Sequence, residues 1–135
     1  MKIYQLHPYQ KKLVSQARSE LAAGKKSVLI VSPAGSGKSV VIAEIARLVA
    51  AKGGNVMFTV HSKELVNQIT QSFINNSVDM SHATIMTVGK IVNRLDILPR
   101  PALIITDETH HSLAKTYRKI YDYYADVLRI GFTAT

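Results

Sequence analysis

Residues 32–39 read SPAGSGKS and combine the residue types that a protein needs to hold a phosphate group. The glycines let backbone N–H groups turn toward an anion, because no Cβ stands in the way. Lys38 supplies a mobile positive charge for the β- and γ-phosphates of a nucleotide, and the Ser39 hydroxyl can bind magnesium. The alternative is a glycine-rich turn with a solvated lysine. The apolar run before it, Ser27 to Val31, and the helix-forming run after it favour a phosphate-binding loop.

Two adjacent carboxylates, Asp107 and Glu108, follow a second apolar run in the segment ITDETHH, residues 105–111. Phosphoryl transfer to water needs a metal ion and a positioned nucleophile. Asp107 would hold magnesium, mostly through a water molecule, and Glu108 would polarise the attacking water. Acidic residues also end strands or cap helices for structural reasons alone. Their position downstream of a phosphate-binding loop, at the end of a strand, favours the catalytic interpretation.

Strands and helices that alternate along the chain must position these residues. Short apolar segments predict strands, and the segments between them carry apolar residues at helical spacing. The predicted strands are Val28–Val31, Val56–Val60, Ala83–Thr87, Ala102–Asp107 and the final segment 129–135, and the predicted helices begin near Pro8, Lys38, Ser62, Val88 and Leu113. Strands that are apolar throughout are buried on both faces. The sequence therefore predicts an α/β fold, a mainly parallel five-stranded sheet with helices on both faces.

The composition limits the class of protein and its partners. The 135 residues are enough for one domain. Lysine and arginine number 17 against 9 acidic residues, and the net charge of +8 favours a polyanionic partner such as nucleic acid, although it also fits a domain that is merely basic. The absence of cysteine excludes disulfides and thiolate metal sites. No apolar run approaches the roughly 20 residues of a membrane span, and no signal peptide is evident, so the predicted location is the cytoplasm.

Together the motifs resemble those of superfamily 2 helicases of the DEAD/DEAH-box type, in the first RecA-like domain. Asp107 to His110 resembles motif II, the DEAH box, with threonine where alanine is usual, and SPAGSGKS resembles motif I, the Walker A loop of P-loop proteins. Thr133 to Thr135 resembles motif III, Leu6 to Gln10 resembles the adenine-reading motif, and Thr59 to Gln68 resembles motif Ia. The resemblance spans essentially the whole chain, and it implies that the strand ending at Thr133 lies between the Ser27–Val31 and Ala102–Thr106 strands. It is greatest to the RadD-like DNA-repair helicases of bacteria and their phage relatives.

The resemblance implies ATP and Mg²⁺ as cofactors and assigns roles to particular residues. The implied nucleotide-binding residues are Gln10, Ser32, Pro33, Ala34, Gly35, Ser36, Gly37, Lys38 and Ser39. The implied magnesium ligands are Ser39 and Asp107, and the implied catalytic residues are Glu108, Lys38 and Asp107. Residues that couple the ATP site to the rest of the motor would be His110, Thr133 and Thr135. Residues that contact nucleic acid would be His61, Ser62, Lys63 and Thr87.

Several of these assignments have alternatives. His7 stands where the family usually has arginine, which leaves Gln10 to read the adenine, and Gln10 could instead sit in the first turn of a surface helix. Ser62 could cap a helix, a role that is compatible with a phosphate contact. The tyrosines at 117, 121, 123 and 124 could stack on bases, but Tyr117 and Tyr124 fall at core spacing, which favours packing.

Three functions are compatible with the sequence. The first is the motor lobe of a nucleic-acid-dependent ATPase, either a helicase or a duplex translocase of the restriction-enzyme type, acting on DNA with RNA left open. The second is a small-molecule kinase, which would need an acceptor site and a lid that the sequence does not show. The third is a module that binds ATP or DNA without turnover. The resemblance implies a second RecA-like lobe that supplies an arginine finger, so we expect this chain alone to bind ATP and hydrolyse it negligibly. A bacterial or phage-encoded protein is expected.

Overall fold

The structure is a computed structural model that describes residues 8–31, 38–107 and 114–133. Helices and strands alternate along these residues, and the predicted elements are present. They are α1 (Pro8–Ala22), β1 (Ser27–Val31), α2 (Lys38–Ala51), β2 (Val56–Val60), α3 (Lys63–Asn75), β3 (Ala83–Thr87), α4 (Val88–Val92), β4 (Leu103–Asp107), α5 (Ala114–Tyr123) and β5 (Leu128–Thr133). The sequence predicts that α4 extends to Leu95, but it ends at Val92; β4 begins one residue later than predicted, and β1 and β5 each begin one residue earlier. Among the described residues, no helix is long and apolar enough to cross a bilayer.

The five strands form one parallel sheet in the order β1-β5-β4-β2-β3. Strand β5 therefore lies between β1 and β4, as expected for a RecA-like domain. Because the strands are parallel, all five carboxyl ends meet at one edge of the sheet, and all five amino ends meet at the other. We call these two edges the carboxyl edge and the amino edge.

Helices cover both faces of the sheet because successive strand residues point to opposite sides. On one face, α1, α2 and α3 pack on a core in which the rings of Phe58 and Phe73 meet edge to face at 6.2 Å. On the other face, α4 and α5 pack on a second core. Tyr117 and Tyr124 belong to that second core and are 5% and 3% exposed. The prediction that these two tyrosines pack in the core is confirmed.

Strand β1 is an edge strand, and no described strand pairs with its outer side. Its sequence, SVLIV, carries no charge. Leu29, in the middle of the strand, is 57% exposed on the face that α4 and α5 cover elsewhere. The apolar sequence of β1 predicted burial on both faces. The exposure of Leu29 shows that one face of β1 is only partly covered.

The turn between α2 and β2 packs closely against the residue that precedes β4. A Cβ atom at Gly54 would lie 3.0 Å from Val49 Cγ1 and 3.1 Å from Ala102 Cβ. The Ala102 N–H donates to the Asn55 carbonyl at 2.7 Å, which fixes the amino ends of β2 and β4 together. Only glycine fits at position 54 without moving one of these neighbours.

We expect Gly54→Ala to lower the free energy of unfolding by about 1–3 kcal/mol, because the added methyl group overpacks this turn. Gly89→Ala is the matched control. It lies in α4, where an added Cβ meets nothing within 4 Å, so alanine should raise the free energy of unfolding by about 0.5–1 kcal/mol. Urea denaturation of both variants measures the difference. Equal effects of the two substitutions would contradict the packing at Gly54.

Candidate nucleotide and nucleic-acid site

The carboxyl edge brings together the ends of β1, β5 and β4, which lead into the three predicted ATP motifs. In the strand register Val31 lies beside Thr133, and Phe132 lies beside Asp107. Neighbouring strands are about 4.8 Å apart, so Asp107 lies two strands, or roughly 10 Å, from the strand that precedes the phosphate-binding loop. Thr133 belongs to the strand between them.

Several predicted site residues lie outside the described residues. They are His7, the loop residues Ser32, Pro33, Ala34, Gly35, Ser36 and Gly37, and the motif residues Glu108, His110 and Thr135. Their roles stay predictions. The described elements flank these segments in the chain. Strand β1 precedes the loop and α2 follows it, and β4 precedes the segment that contains Glu108.

Helix α2 begins at Lys38, directly after the phosphate-binding loop. The first turn of a helix has unpaired N–H groups and a partial positive charge, and α2 has no acidic residue in its first turn to occupy them. Ser39 is exposed in this turn. The local structure therefore suits an anion with a hydroxyl beside it.

Asp107 is the last residue of β4 and is half-buried. Its Oδ1 atom is buried, while the residue as a whole keeps some exposure at the carboxyl edge. A carboxylate and the hydroxyl of Ser39 are the hard oxygen ligands that magnesium prefers. The two described residues that the sequence predicts as magnesium ligands therefore fit that ion chemically.

A buried hydroxyl pair behind Asp107 was not found from the sequence. Thr106 is 1% exposed and lies beside Thr59 of β2, which is 0% exposed. The Tyr121 hydroxyl of α5 donates to Thr106 Oγ1 at 2.9 Å. This bond ties α5 to the end of β4, one residue before the carboxylate. The signal in the sequence is a threonine that interrupts an apolar strand directly before an acidic residue.

Gln10, the predicted adenine-reading residue, is 5% exposed in the first turns of α1. Gln10 does lie in the first turn of a helix, as the alternative interpretation expected, but its side chain is buried. Burial is compatible with a side-chain amide that lines a pocket, and its contact with adenine stays a prediction.

The ends of β2 and β3 form the other part of the carboxyl edge and carry the predicted nucleic-acid contacts. Val60 lies beside Thr87 in the strand register, so the segment after β2 begins next to the end of β3. His61 and Thr87 are half-buried, whereas Lys63 is exposed. Thr87 precedes α4 but makes no side-chain capping hydrogen bond there. These residues are brought together by the fold, one strand away from β4.

Ser62 is the N-cap of α3. Its backbone is extended, with φ −147° and ψ 156°, and its Oγ accepts a hydrogen bond from the Leu65 N–H at 3.3 Å. The capping role is therefore confirmed, and it leaves the other N–H groups of the first turn available to a phosphate. Glu64 also lies in this turn and would compete with an anion for its positive charge.

Ser62→Ala and Ser62→Asp separate the cap from a phosphate contact. We expect alanine to cost about 1 kcal/mol of stability, whereas aspartate, itself a good N-cap, should cost little. Because aspartate adds negative charge where a phosphate would lie, it should weaken nucleic-acid binding several-fold at low salt. Thermal melting and fluorescence anisotropy with a labelled oligonucleotide give the two readouts. Unchanged affinity for Ser62→Asp would count against a phosphate at this turn.

One side-chain hydrogen bond joins α3 to α2. The Ser72 hydroxyl of α3 donates to the Ser39 carbonyl of α2 at 3.5 Å. Helix α3 begins at the predicted nucleic-acid contacts and α2 begins at the predicted nucleotide contacts. The contact is to the backbone of Ser39, and Ser72 lies roughly 15 Å along α3 from the predicted nucleic-acid contacts at its start.

Three arginines are engaged away from the carboxyl edge. Arg47 binds Glu44 within α2 at 2.6 Å and 2.8 Å, and this hydrogen bonding raises the pKa of Arg47. Arg100 donates to Asp126 at 2.6 Å near the amino edge, which lowers the pKa of the aspartate.

Arg129, the third of these arginines, lies at the start of β5. Its guanidinium carbon is 4.2 Å from the ring centroid of Tyr121, and its Nε donates to Ser27 Oγ at 3.3 Å. It therefore lies near the amino edge.

Comparison with solved structures agrees with this architecture. The UvsW helicase from bacteriophage T4 matches 98% of this chain with a TM-score of 0.74 at 17% identity, over 56% of its own chain. The ATP-dependent Type ISP restriction-modification enzyme LlaBIII, solved bound to DNA, matches 98% of this chain with a TM-score of 0.74 at 16% identity, over 13% of its own chain. At these identities the likeness concerns the fold, which is the RecA-like α/β fold.

Sequence comparison identifies the family. A "51.5 kDa protein" of Lactococcus phage (isolate 7-9) is 59% identical over 107 residues, which are 79% of this chain and 24% of that protein. The chain thus spans about a quarter of this relative. The family profile described as "Type III restriction enzyme, res subunit" matches residues 3–97 and 76–135. The chain therefore belongs to this family, whose domain is the first RecA-like domain of superfamily 2 helicases.

Proposed function

We propose that this chain is the ATP-binding lobe of a nucleic-acid-dependent ATPase that couples ATP hydrolysis to movement along DNA. The observation that carries the proposal is the strand order. It aligns the ends of β1, β5 and β4, where we propose that the nucleotide binds, with the ends of β2 and β3, where we propose that nucleic acid binds. The two parts of the edge adjoin where β4 pairs with β2, so a change at the end of β4 could be transmitted to the end of β2.

At the nucleotide part, Lys38 would neutralise the β- and γ-phosphates, and Ser39 and Asp107 would hold Mg²⁺. The ion, when bound, supplies positive charge that offsets the charge developing on the phosphates. Glu108 follows the end of β4 directly and would orient the attacking water and accept its proton. His110, Thr133 and Thr135 would connect this chemistry to the rest of the motor.

At the nucleic-acid part, His61, Ser62, Lys63 and Thr87 would contact the sugar–phosphate backbone. Such contacts do not distinguish one base from another, so the affinity should depend on salt concentration and not on the base sequence. DNA is the proposed partner, with RNA as an alternative. A second RecA-like lobe would close the nucleotide site from the other side.

Glu108→Gln tests the proposed catalytic role. In the longer protein of which we propose this chain is the first lobe, ATP binding should persist while hydrolysis falls by about 10²–10⁴-fold, because the amide cannot accept the proton. Affinity for a fluorescent ATP analogue and phosphate release measure the two steps. Glu44→Gln, on α2 and paired with Arg47, is the matched control and should leave turnover unchanged. Equal turnover of Glu108→Gln and the unaltered protein would refute the assignment.

A second candidate is a translocase that moves along duplex DNA without separating its strands. The family description and the likeness to a Type ISP restriction-modification enzyme favour it. A translocase should displace a triplex-forming oligonucleotide from duplex DNA in an ATP-dependent way and leave the duplex paired. Release of a single strand from the duplex would favour a helicase instead.

A further inference from the structure

An apolar groove of about 680 Å³ lies between the second halves of α1 and α2. Its walls and floor are aliphatic and come from both helices and from two strands. They include Leu21, Ile45, Leu48, Val49, Leu103 and Leu128. Four of these side chains are only partly buried, so the packing of α1 on α2 leaves apolar surface open to solvent.

The groove lies at the amino edge of the sheet. Leu103 and Leu128, the first residues of β4 and β5, line it. Five-residue strands at about 3.3 Å per residue separate it by roughly 15 Å from the carboxyl edge. A molecule in this groove would therefore leave the proposed nucleotide and nucleic-acid sites uncovered.

The surroundings of the groove are basic. Arg18 and Lys52 line it, and no acidic residue does. Residues 8–31, which include α1 and the turn after it, carry five lysines and arginines and a single acid, Glu20, which pairs with Lys25 at 3.7 Å. Half of the net charge of +8 is thus concentrated in this segment.

We propose that this groove docks an acidic amphipathic helix of a partner protein. An apolar channel between two helices accepts the apolar stripe of a third helix, in the manner of helix-in-groove recognition. Arg18 and Lys52 would face acidic residues that flank that stripe, and this charge complementarity selects the partner.

Other occupants fit these features less well. A second copy of this chain would bring a like-charged surface with a net charge of +8 to the contact. Nucleic acid would satisfy the cations but would leave the aliphatic walls uncovered. Because the groove is remote from the carboxyl edge, a docked helix would tether the motor to its partner without competing with ATP or DNA.

Three labelled peptides of about 16 residues provide the probes. The first has leucine and phenylalanine at positions i, i+3, i+4 and i+7 with glutamate elsewhere. The second has lysine in place of glutamate, and the third has the composition of the first in an order that destroys the apolar stripe. Fluorescence anisotropy with this chain should show binding of the first peptide at least about tenfold tighter than of either other peptide.

Variants then locate the site. The double change Arg18→Glu with Lys52→Glu should weaken binding of the first peptide by about tenfold or more. Ala22→Trp, at an exposed position that lines the groove, should weaken it comparably by filling the groove without altering charge. The matched control, Arg118→Glu with Lys119→Glu on the exposed side of α5, makes the same charge change and should alter affinity by less than about twofold.

Three outcomes would overturn the proposal. These are equal binding of the reordered peptide, equal loss of binding in the control variant, and unchanged binding in Ala22→Trp. Duplex DNA is tested as a competitor for the same cations. If it displaces the peptide from the unaltered chain but not from the Arg18→Glu, Lys52→Glu variant, the basic side of the groove binds nucleic acid instead. None of these readouts depends on ATP hydrolysis, so they are independent of the proposed motor function.

Discussion

Lys38→Ala should abolish measurable binding of magnesium-ATP to this chain. Lys38 begins α2, and its charge is added to the partial positive charge of the helix N-terminus, which has no acid in its first turn. Removing a charged partner of a phosphate typically costs about 3 kcal/mol, which corresponds to a loss of more than about 100-fold in affinity. Calorimetric titration or a fluorescent ATP analogue gives the measurement.

Lys119→Ala is the control for this experiment, because Lys119 is exposed on α5 and makes the same change in charge and composition. It should bind ATP as the unaltered chain does. Comparable affinity in Lys38→Ala would mean that residues 32–39 are a structural turn, the alternative that the sequence left open.

The 135-residue chain alone should bind ATP and hydrolyse it about 10³–10⁵-fold more slowly than a motor with a complete cleft. That factor is the usual contribution of an arginine finger. Arg47 and Arg100 are paired with acids, Arg129 stacks on Tyr121, and Arg18 lines the groove at the amino edge. Of the other two arginines, Arg94 donates to the Lys90 carbonyl at 3.2 Å and Arg118 is exposed on α5. None of the six lies at the end of β1, β5 or β4, so we expect the finger to come from another lobe.

A steady-state ATPase assay over a series of chain concentrations, with single-stranded and with duplex DNA, tests this expectation. Turnover that is low and proportional to concentration agrees with it. Turnover that rises with the square of concentration would show that a second copy completes the site. Fast DNA-stimulated turnover at low concentration would contradict the need for a second lobe.

The fold was predictable from the sequence because its strands are short, apolar and separated by helices of regular spacing. The position of β5 between β1 and β4 followed from the resemblance to RecA-like domains, and the register confirms it. The ends of the elements were less predictable. Helix α4 ends at Val92 although apolar residues continue beyond it.

The details of the site depend on contacts between distant elements, which spacing along the chain does not reveal. The hydrogen bond from Tyr121 to Thr106 joins a residue of α5 to a residue of β4. The burial of Gln10 likewise depends on how α1 packs against the rest of the domain. The groove at the amino edge also depends on contacts between elements that are distant along the chain. Leu21 and Leu48 each look like ordinary core positions in the sequence, but in the structure both are only partly buried.

Among the described strands, none pairs with the outer side of β1, which makes that side a template for strand addition. Its outer edge offers a row of backbone donors and acceptors along an apolar segment with no charged residue, and such edges promote intermolecular sheets. Leu29 adds exposed apolar surface to that edge. The net charge of +8 keeps copies apart, but this repulsion acts over only about 10 Å at 0.1 M salt. Salt therefore has two opposite roles for this chain, since it releases bound polyanions and also removes the barrier to edge-to-edge assembly.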